Sequence, residues 1–300
     1  GGARELLRKQ LAHLAEAFKV MDEKAAQRGG AGEGNSKFTT TMSAGDADSF
    51  HRGLEDRVGM PRAQVDQAMR EEHCVLPGHD AQFTTGNYGI TTSPEREYNI
   101  ALDPSKCPRE ELLDKLKRLV RVLRSPEELL RTSALAKAAG LSLHEALSVS
   151  LYTGPMFMVY NTILRRYPES DWNRFTGNGV NKYSTTIFVL VSAVVKISRS
   201  SKLPAGLVLF RGTGGKLELP AQFFKADKQG RMGMMEYGFT STTANKEVAI
   251  QYSGVKDGAA PMVLRIKTSS IDRGACLQEL SQYPNEAEFL WVPCSFVAPD

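Results

Sequence analysis

The sequence predicts an α+β fold in which helices come first and strands afterwards. Two observations carry this. Between Leu143 and Ile197 apolar residues recur at three- and four-residue steps over stretches long enough for helices. Beyond Pro204 they gather instead into short runs rich in Val, Leu, Ile and Phe, the length and composition of buried strands. Helical and strand segments do not alternate and no repeat is visible, which argues against βαβ units and against a solenoid. A chain of 300 residues, 41% of them apolar, can build one large domain or two ordinary ones.

Taken in order, residues 1–28 read as an amphipathic helix. Leu7, Leu11, Leu14, Phe18 and Met21 share one face and charged residues fill the other. Such a stripe most simply docks on the rest of the domain; a partner-binding helix is the alternative, the stripe being too short to demand heptads. Residues 29–36 are a glycine-rich linker, because glycine loses the most entropy on ordering. Residues 37–140 read as a mainly helical extension. Within it, Asp46 to Glu72 forms short helices broken at Gly59-Met60-Pro61, with Pro61 starting the second one. Residues 80–105 look irregular, an ordered loop or a few short strands. Glu110 to Arg124 is an amphipathic helix with a basic flank, solvated by default and otherwise a contact for an acidic partner.

The segment 141–300 is expected to be the catalytic domain. Leu143 to Arg166 is one long helical pattern interrupted at Gly154-Pro155, where proline removes a hydrogen bond. Ser184 to Ile197 is a second, more apolar helix. The strand-like runs are Leu207–Phe210, Met262–Ile266, Glu288–Val292 and Ser295–Val297.

Composition removes several function classes. A formal charge of +4 with no concentrated basic stripe gives no footprint for nucleic acid. Cys74, Cys107, Cys276 and Cys294 lie far apart, which fits neither a zinc set nor a disulfide framework and leaves four free thiols as the expectation. No stretch approaches the roughly 20 apolar residues of a membrane span. The start, Gly1-Gly2-Ala3-Arg4, is not a secretory signal. An intracellular, cytoplasmic location is expected, for a piece of a longer chain that lacks its initiator Met.

Three features of the strand-rich part carry chemistry: Arg211-Gly212 at the end of an apolar run, Ser241-Thr242-Thr243 before a helical stretch, and Glu286-Ala287-Glu288 entering a strand. Each alone has a commoner structural explanation: a surface ion pair for the arginine, a helix cap for the hydroxyls, a solvated pair for the glutamates. If both glutamates lie on a strand, they point the same way. In this order and spacing, however, the set resembles the Arg-Ser-Glu class of mono-ADP-ribosyltransferases, which includes cholera-toxin-like and clostridial toxins and the vertebrate ecto-enzymes. Upstream, Leu151-Tyr152-Thr153 followed by Tyr160-Asn161-Thr162-Ile163-Leu164-Arg165 is similar to the helix pattern of that family, and Lys202–Gly206 to its approach to the arginine strand. The likeness covers about Leu141 to Val297. It departs in having Ser-Thr-Thr for Ser-Thr-Ser and no tyrosine in the four residues before Arg211.

The resemblance implies a split β-sandwich with flanking helices, NAD as co-substrate and no metal. It implies Glu288 as the essential carboxylate, beside a ribose that becomes oxocarbenium-like when nicotinamide departs. Ser241 would orient Glu288 and line the ribose pocket. Arg211 would hold the phosphates or ribose of NAD, the Gly212 backbone its nicotinamide amide, and Arg165 a second phosphate position. Tyr252 would stack on nicotinamide. Glu286, two before the catalytic glutamate, points to arginine as the acceptor, and Tyr283 to contact with the protein substrate. Self-modification is left open. The alternatives are an NAD glycohydrolase, in which water replaces arginine, and a non-catalytic module that binds NAD or protein in the same cleft.

Overall fold

The computed structural model describes residues 94–102, 122–167, 169, 172, 183–201, 203, 204, 206–213, 219, 221–228, 230–253, 262–268 and 274–300. The helices expected over residues 1–28 and 46–72 and the linker at 29–36 lie outside the described residues. So does most of the helix expected over 110–124, of which Val122–Arg124 are described and are not helical.

The first described element corrects an expectation. Part of the stretch expected to be irregular, Pro94–Leu102, is helix α1. Pro94 stands at the first helical position, where its missing N–H costs nothing, and Glu95 and Glu97 place negative charge at the positive end of the helix dipole. Helices α2 (Pro126–Thr132) and α3 (Ala134–Ala139) follow. Ser125 and Glu128 cap each other reciprocally at the start of α2, and Ser133 caps α3 through Ala136 N–H.

Helix α4 (Leu143–Leu151) opens on a second such box, Ser142 with Glu145. It runs through a wider turn at Tyr152–Met156 into α5 (Phe157–Arg165), so the long helical pattern is interrupted at Gly154-Pro155 as expected. Gly154 has extended backbone, and a Cβ there would lie 2.3 Å from the Gln282 side-chain nitrogen. The amide of Gln282 fills this opening and donates to the Ser150 carbonyl at 2.7 Å. Helix α6 (Ser184–Ser200) extends three residues past the expected end at Ile197. Glu145, fully buried, ties α4 to α6 by accepting from Lys196 Nζ at 2.8 Å and Ser192 Oγ at 2.6 Å.

The strands are β1 (Val208–Gly212), β2 (Met234–Glu236), β3 (Thr240–Thr243), β4 (Val263–Lys267), β5 (Ala275–Cys276), β6 (Glu288–Trp291) and β7 (Ser295–Val297). Five form an antiparallel sheet in the order β4-β1-β3-β6-β5, and β2 pairs with β7 in a second, two-stranded sheet. A short helix, α7 (Lys246–Gln251), follows β3 and is capped by Asn245. The core forms where α4, α5 and α6 meet the larger sheet: Leu147, Leu151, Tyr160, Ile187, Leu190 and Ile197 pack with Phe239, Ala275, Leu277 and Leu290. Each such large apolar side chain contributes about 1.5–3 kcal/mol by leaving water. Among the described residues no helix is long and apolar enough to cross a membrane, and no group of three or more His, Cys, Asp or Glu is placed to hold a metal ion. Cys276 and Cys294 are free thiols.

Candidate active site

The site sits where β1, β3 and β6 lie side by side. In the β3–β6 register Ser241 is opposite Leu290, and Glu288 is two residues along on the same face. That diagonal brings Ser241 Oγ to Glu288 Oε1, to which it donates at 2.5 Å. Glu288 is buried, and burial pushes its carboxyl up to about 7. The Ser241 hydrogen bond pulls it down, the charge of Glu286 raises it further, and Arg211 lowers it.

Arg211 closes β1. Its Nη1 donates to the Ser241 carbonyl at 2.9 Å, so one serine supports both the carboxylate and the guanidinium. Gly212 is required beside it: a Cβ there would lie 2.1 Å from the Ala249 carbonyl and 2.7 Å from the Tyr252 carbonyl carbon. Without a side chain, β1 and α7 can touch.

Arg165, at the end of α5, reaches the same cluster through a residue that the sequence did not single out. Glu236, fully buried on β2, accepts from Arg165 Nε at 2.8 Å and Nη2 at 3.0 Å, a bidentate pair. It also accepts from Gly238 N–H at 2.8 Å and lies 3.8 Å from Arg211 Nη2. Burial works against the charge on Arg165, but the charge and hydrogen bonds of Glu236 outweigh it and hold that guanidinium above its ordinary value. Arg211 goes the other way, lowered by burial and also by the neighbouring Arg165. One carboxylate thus serves two arginines and is spent mainly on Arg165. Arg211 is left as the incompletely compensated cation, which is what an anion site needs.

The helix residues quoted in the resemblance turn out to be clamps. Asn161 accepts from Phe239 N–H at 2.7 Å, fixing the entry to β3, and donates to the Tyr152 hydroxyl at 3.2 Å. Tyr152 is buried against Phe239, ring centroids 5.2 Å apart, and its phenol is pushed up by burial and by the charge of Glu288. Thr153 Oγ1 accepts from Gln282 N–H at 2.9 Å, which anchors the turn leading to Glu286.

In that turn the condition for the two glutamates to point the same way is not met. Glu286 and Glu288 do not share a strand. Glu286 ends a single helical turn, Pro284–Glu286, Ala287 adopts a left-handed backbone (φ 45°), and only Glu288 belongs to β6. The placement of Glu286 therefore comes from its contacts. Its carbonyl accepts from Thr243 Oγ1 at 2.6 Å and its Oε1 from the Tyr252 hydroxyl at 2.5 Å. Tyr252, expected to face nicotinamide, so has its polar end on Glu286. Tyr283 opens the same turn, its carbonyl accepting from Glu286 N–H at 3.0 Å. Pro284 borders a surface groove lined also by Arg124, Glu128 and Glu279. The structure thus gathers Arg165, Arg211, Gly212, Ser241, Tyr252, Glu286 and Glu288, while Tyr283 stands at the edge. Glu236 and Gln282 join the site without having been singled out, and Tyr152 and Thr243, quoted only as parts of motifs, join it as supports. For Glu236 the available signal is that two largely buried cations require an acid, and this glutamate lies five residues before Ser241.

The profile of the family described as NAD:arginine ADP-ribosyltransferase matches residues 113–296. Comparison with curated protein sequences gives no match. Among solved structures, similarity extends to ADP-ribosyltransferase HopU1 of Pseudomonas syringae pv. Tomato DC3000, at 20% identity over 57% of this chain and 79% of that one, TM-score 0.41. It extends also to the eucaryotic mono-ADP-ribosyltransferase ART2.2, at 15% identity over 87% of both chains, TM-score 0.41. A third is exoenzyme S from Pseudomonas aeruginosa, solved with human 14-3-3 protein beta and carba-NAD, at 20% identity over 58% of this chain and 77% of that one, TM-score 0.37.

Proposed function

The chain belongs to the NAD:arginine ADP-ribosyltransferase family, whose profile covers residues 113–296, more than half of its 300 residues, and we propose that it transfers ADP-ribose from NAD to arginine side chains of protein substrates. The observation that carries the proposal is the shared support at Ser241: its hydroxyl holds Glu288 at 2.5 Å and its carbonyl holds Arg211 at 2.9 Å. A carboxylate for developing positive charge and a guanidinium for a diphosphate are fixed relative to one another before any substrate arrives.

Arg211 binds the NAD diphosphate, since it is the arginine whose charge Glu236 compensates least and its fork suits phosphate oxygens. Arg165 adds its field from behind Glu236. The backbone at Gly212 takes the nicotinamide amide. Glu288 stands beside the ribose and stabilises the positive charge that grows on C1′ as the bond to nicotinamide breaks; holding a ribose hydroxyl, it also fixes that sugar in place. Nicotinamide leaves with the bonding pair. An acceptor arginine nitrogen attacks C1′ and gives its proton to Glu286, which is needed because a guanidinium scarcely gives up a proton near neutral pH. No step calls for a metal.

The test is nicotinamide release by the wild type and by Glu288→Ala, with peptide sequencing by mass spectrometry to locate the label. A fall of roughly a thousandfold or more in release is expected, the scale of losing the main transition-state contact. Retained turnover in Glu288→Ala sinks the assignment of this carboxylate. Nicotinamide without labelled protein favours the glycohydrolase reading, in which water takes the place of arginine.

A further inference from the structure

We infer that Tyr252 is a positioning residue that sets the acceptor specificity of this site: its phenol holds the Glu286 carboxylate where an incoming guanidinium can meet it. The inference rests on the arginine-transfer reading above and deepens it.

A glutamate on a strand has its direction dictated by the pleat; Glu286, ending a helical turn before a left-handed Ala287, does not. Its side chain is flexible by nature, and a general base has to stand within hydrogen-bond reach of the proton it removes. Two of its contacts come from the segment after Ser241. Thr243 Oγ1 donates to the Glu286 carbonyl at 2.6 Å, and the same oxygen accepts from Asn245 N–H at 3.0 Å, so the turn is pinned to the start of α7. Tyr252, at the other end of that helix, donates to Glu286 Oε1 at 2.5 Å. The end of β3 therefore grips Glu286 at its backbone, and the residue that closes α7 grips its carboxylate.

The grip is tied to the NAD side of the site. The absence of a side chain at Gly212, next to Arg211, lets β1 contact Ala249 and Tyr252 directly. The place of the Tyr252 ring is thus referred to the strand that carries the phosphate-binding arginine. A phenol suits this role because it is rigid beyond two torsions and donates a charge-assisted hydrogen bond to an ionised acceptor. In the transfer step the bond from C1′ to nicotinamide breaks with its electron pair, the bond from C1′ to the guanidino nitrogen forms, and the proton passes to Glu286. Tyr252 takes no proton in this sequence; it keeps the receiving carboxylate from swinging away.

The test compares Tyr252→Phe with the wild type, using labelled NAD and a soluble guanidino acceptor such as agmatine, and following labelled acceptor and free nicotinamide together. Phenylalanine keeps the ring and removes only the hydroxyl. The ratio of transfer to hydrolysis is expected to fall about tenfold or more, the scale of one hydrogen bond to a charged group. KM for the acceptor rises, and KM for NAD changes less. Equal loss of transfer and hydrolysis marks a merely structural role and overturns the inference, as does a variant that transfers as well as the wild type. A wild-type protein that releases nicotinamide but labels no guanidino acceptor overturns the arginine-transfer reading itself, and this inference with it.

Discussion

The carboxyl of Glu288 is pulled in opposite directions. Burial raises it, the Ser241 hydrogen bond lowers it, the charge of Glu286 raises it and that of Arg211 lowers it, leaving it at about 7. A carboxylate assists the departure of nicotinamide only when ionised, so kcat/KM for NAD should rise with pH along a limb centred near 7, because that parameter reports the free enzyme. In the complex the positive nicotinamide ring favours the ionised form, so the limb of kcat should lie lower. Coincident limbs contradict this. The same shift has a cost in stability. Folded Glu288 retains its proton between the ordinary 4.5 and about 7 while the unfolded chain has lost it, so stability falls as pH rises through that window. Above it the loss is complete, on the order of 3 kcal/mol. Glu288→Gln should gain on the wild type across that window and keep a constant advantage above it, as read by urea unfolding at stepped pH. A difference independent of pH removes burial as the cause. Arg211→Ala takes away the least compensated cation and should weaken NAD binding by roughly ten- to a hundredfold; an unchanged Kd by calorimetry counts against its assigned role.

At the scale of elements, the site depends on how closely β1 approaches α7. Gly212→Ala places a methyl into the Ala249 carbonyl, at 2.1 Å, so the helix must move. A loss of about 1–3 kcal/mol is expected from such overpacking, together with weaker transfer because Tyr252 moves with the helix; an unfolding midpoint equal to the wild type contradicts the close approach. Which elements are legible in the sequence follows from what each displays. The apolar runs behind β1, β4, β6 and β7 read as strands because their β-type side chains gather in short runs. The break at Gly154-Pro155 is readable because proline acts locally. Strand β3, Thr240–Thr243, does not read as a strand: its hydroxyl-rich composition suits a helix cap equally well, and the real cap is Asn245. Strands β2 and β5, of three and two residues, are too short to show a period. What is hidden in the turn at Glu286 is its left-handed alanine, which nothing local announces. Helix α1 is hidden because its buried side, Tyr98 and Glu97, becomes meaningful only against α4, α5 and α6.

Over the whole molecule, catalytic parts from distant segments converge because the helical layer holds the sheet at chosen points. Asn161 fixes the start of β3, Thr153 and Gln282 fix the turn before Glu286, and Arg165 with Glu236 links α5 to the second sheet. Each clamp reaches out from the stretch spanning α4 and α5, whose remaining surface is packed into the main core. The set Arg211, Ser241 and Glu288 is legible only through its resemblance to the family pattern; the same resemblance picks out Thr153, Asn161 and Arg165 but not their work as clamps, since a buried Asn or Thr looks like any other until its partner, tens of residues away, is known. Transfer of ADP-ribose to arginine is the activity proposed for this arrangement. Its most direct test is incubation of the protein with labelled NAD and arginine-rich acceptor proteins, beside Glu288→Ala and Glu286→Gln, with label and free nicotinamide followed together and labelled residues identified by mass spectrometry. Label on arginine is expected in the wild type, none with Glu288→Ala, and nicotinamide without label with Glu286→Gln. Label on residues other than arginine, or equal loss of both readouts in Glu286→Gln, contradicts it.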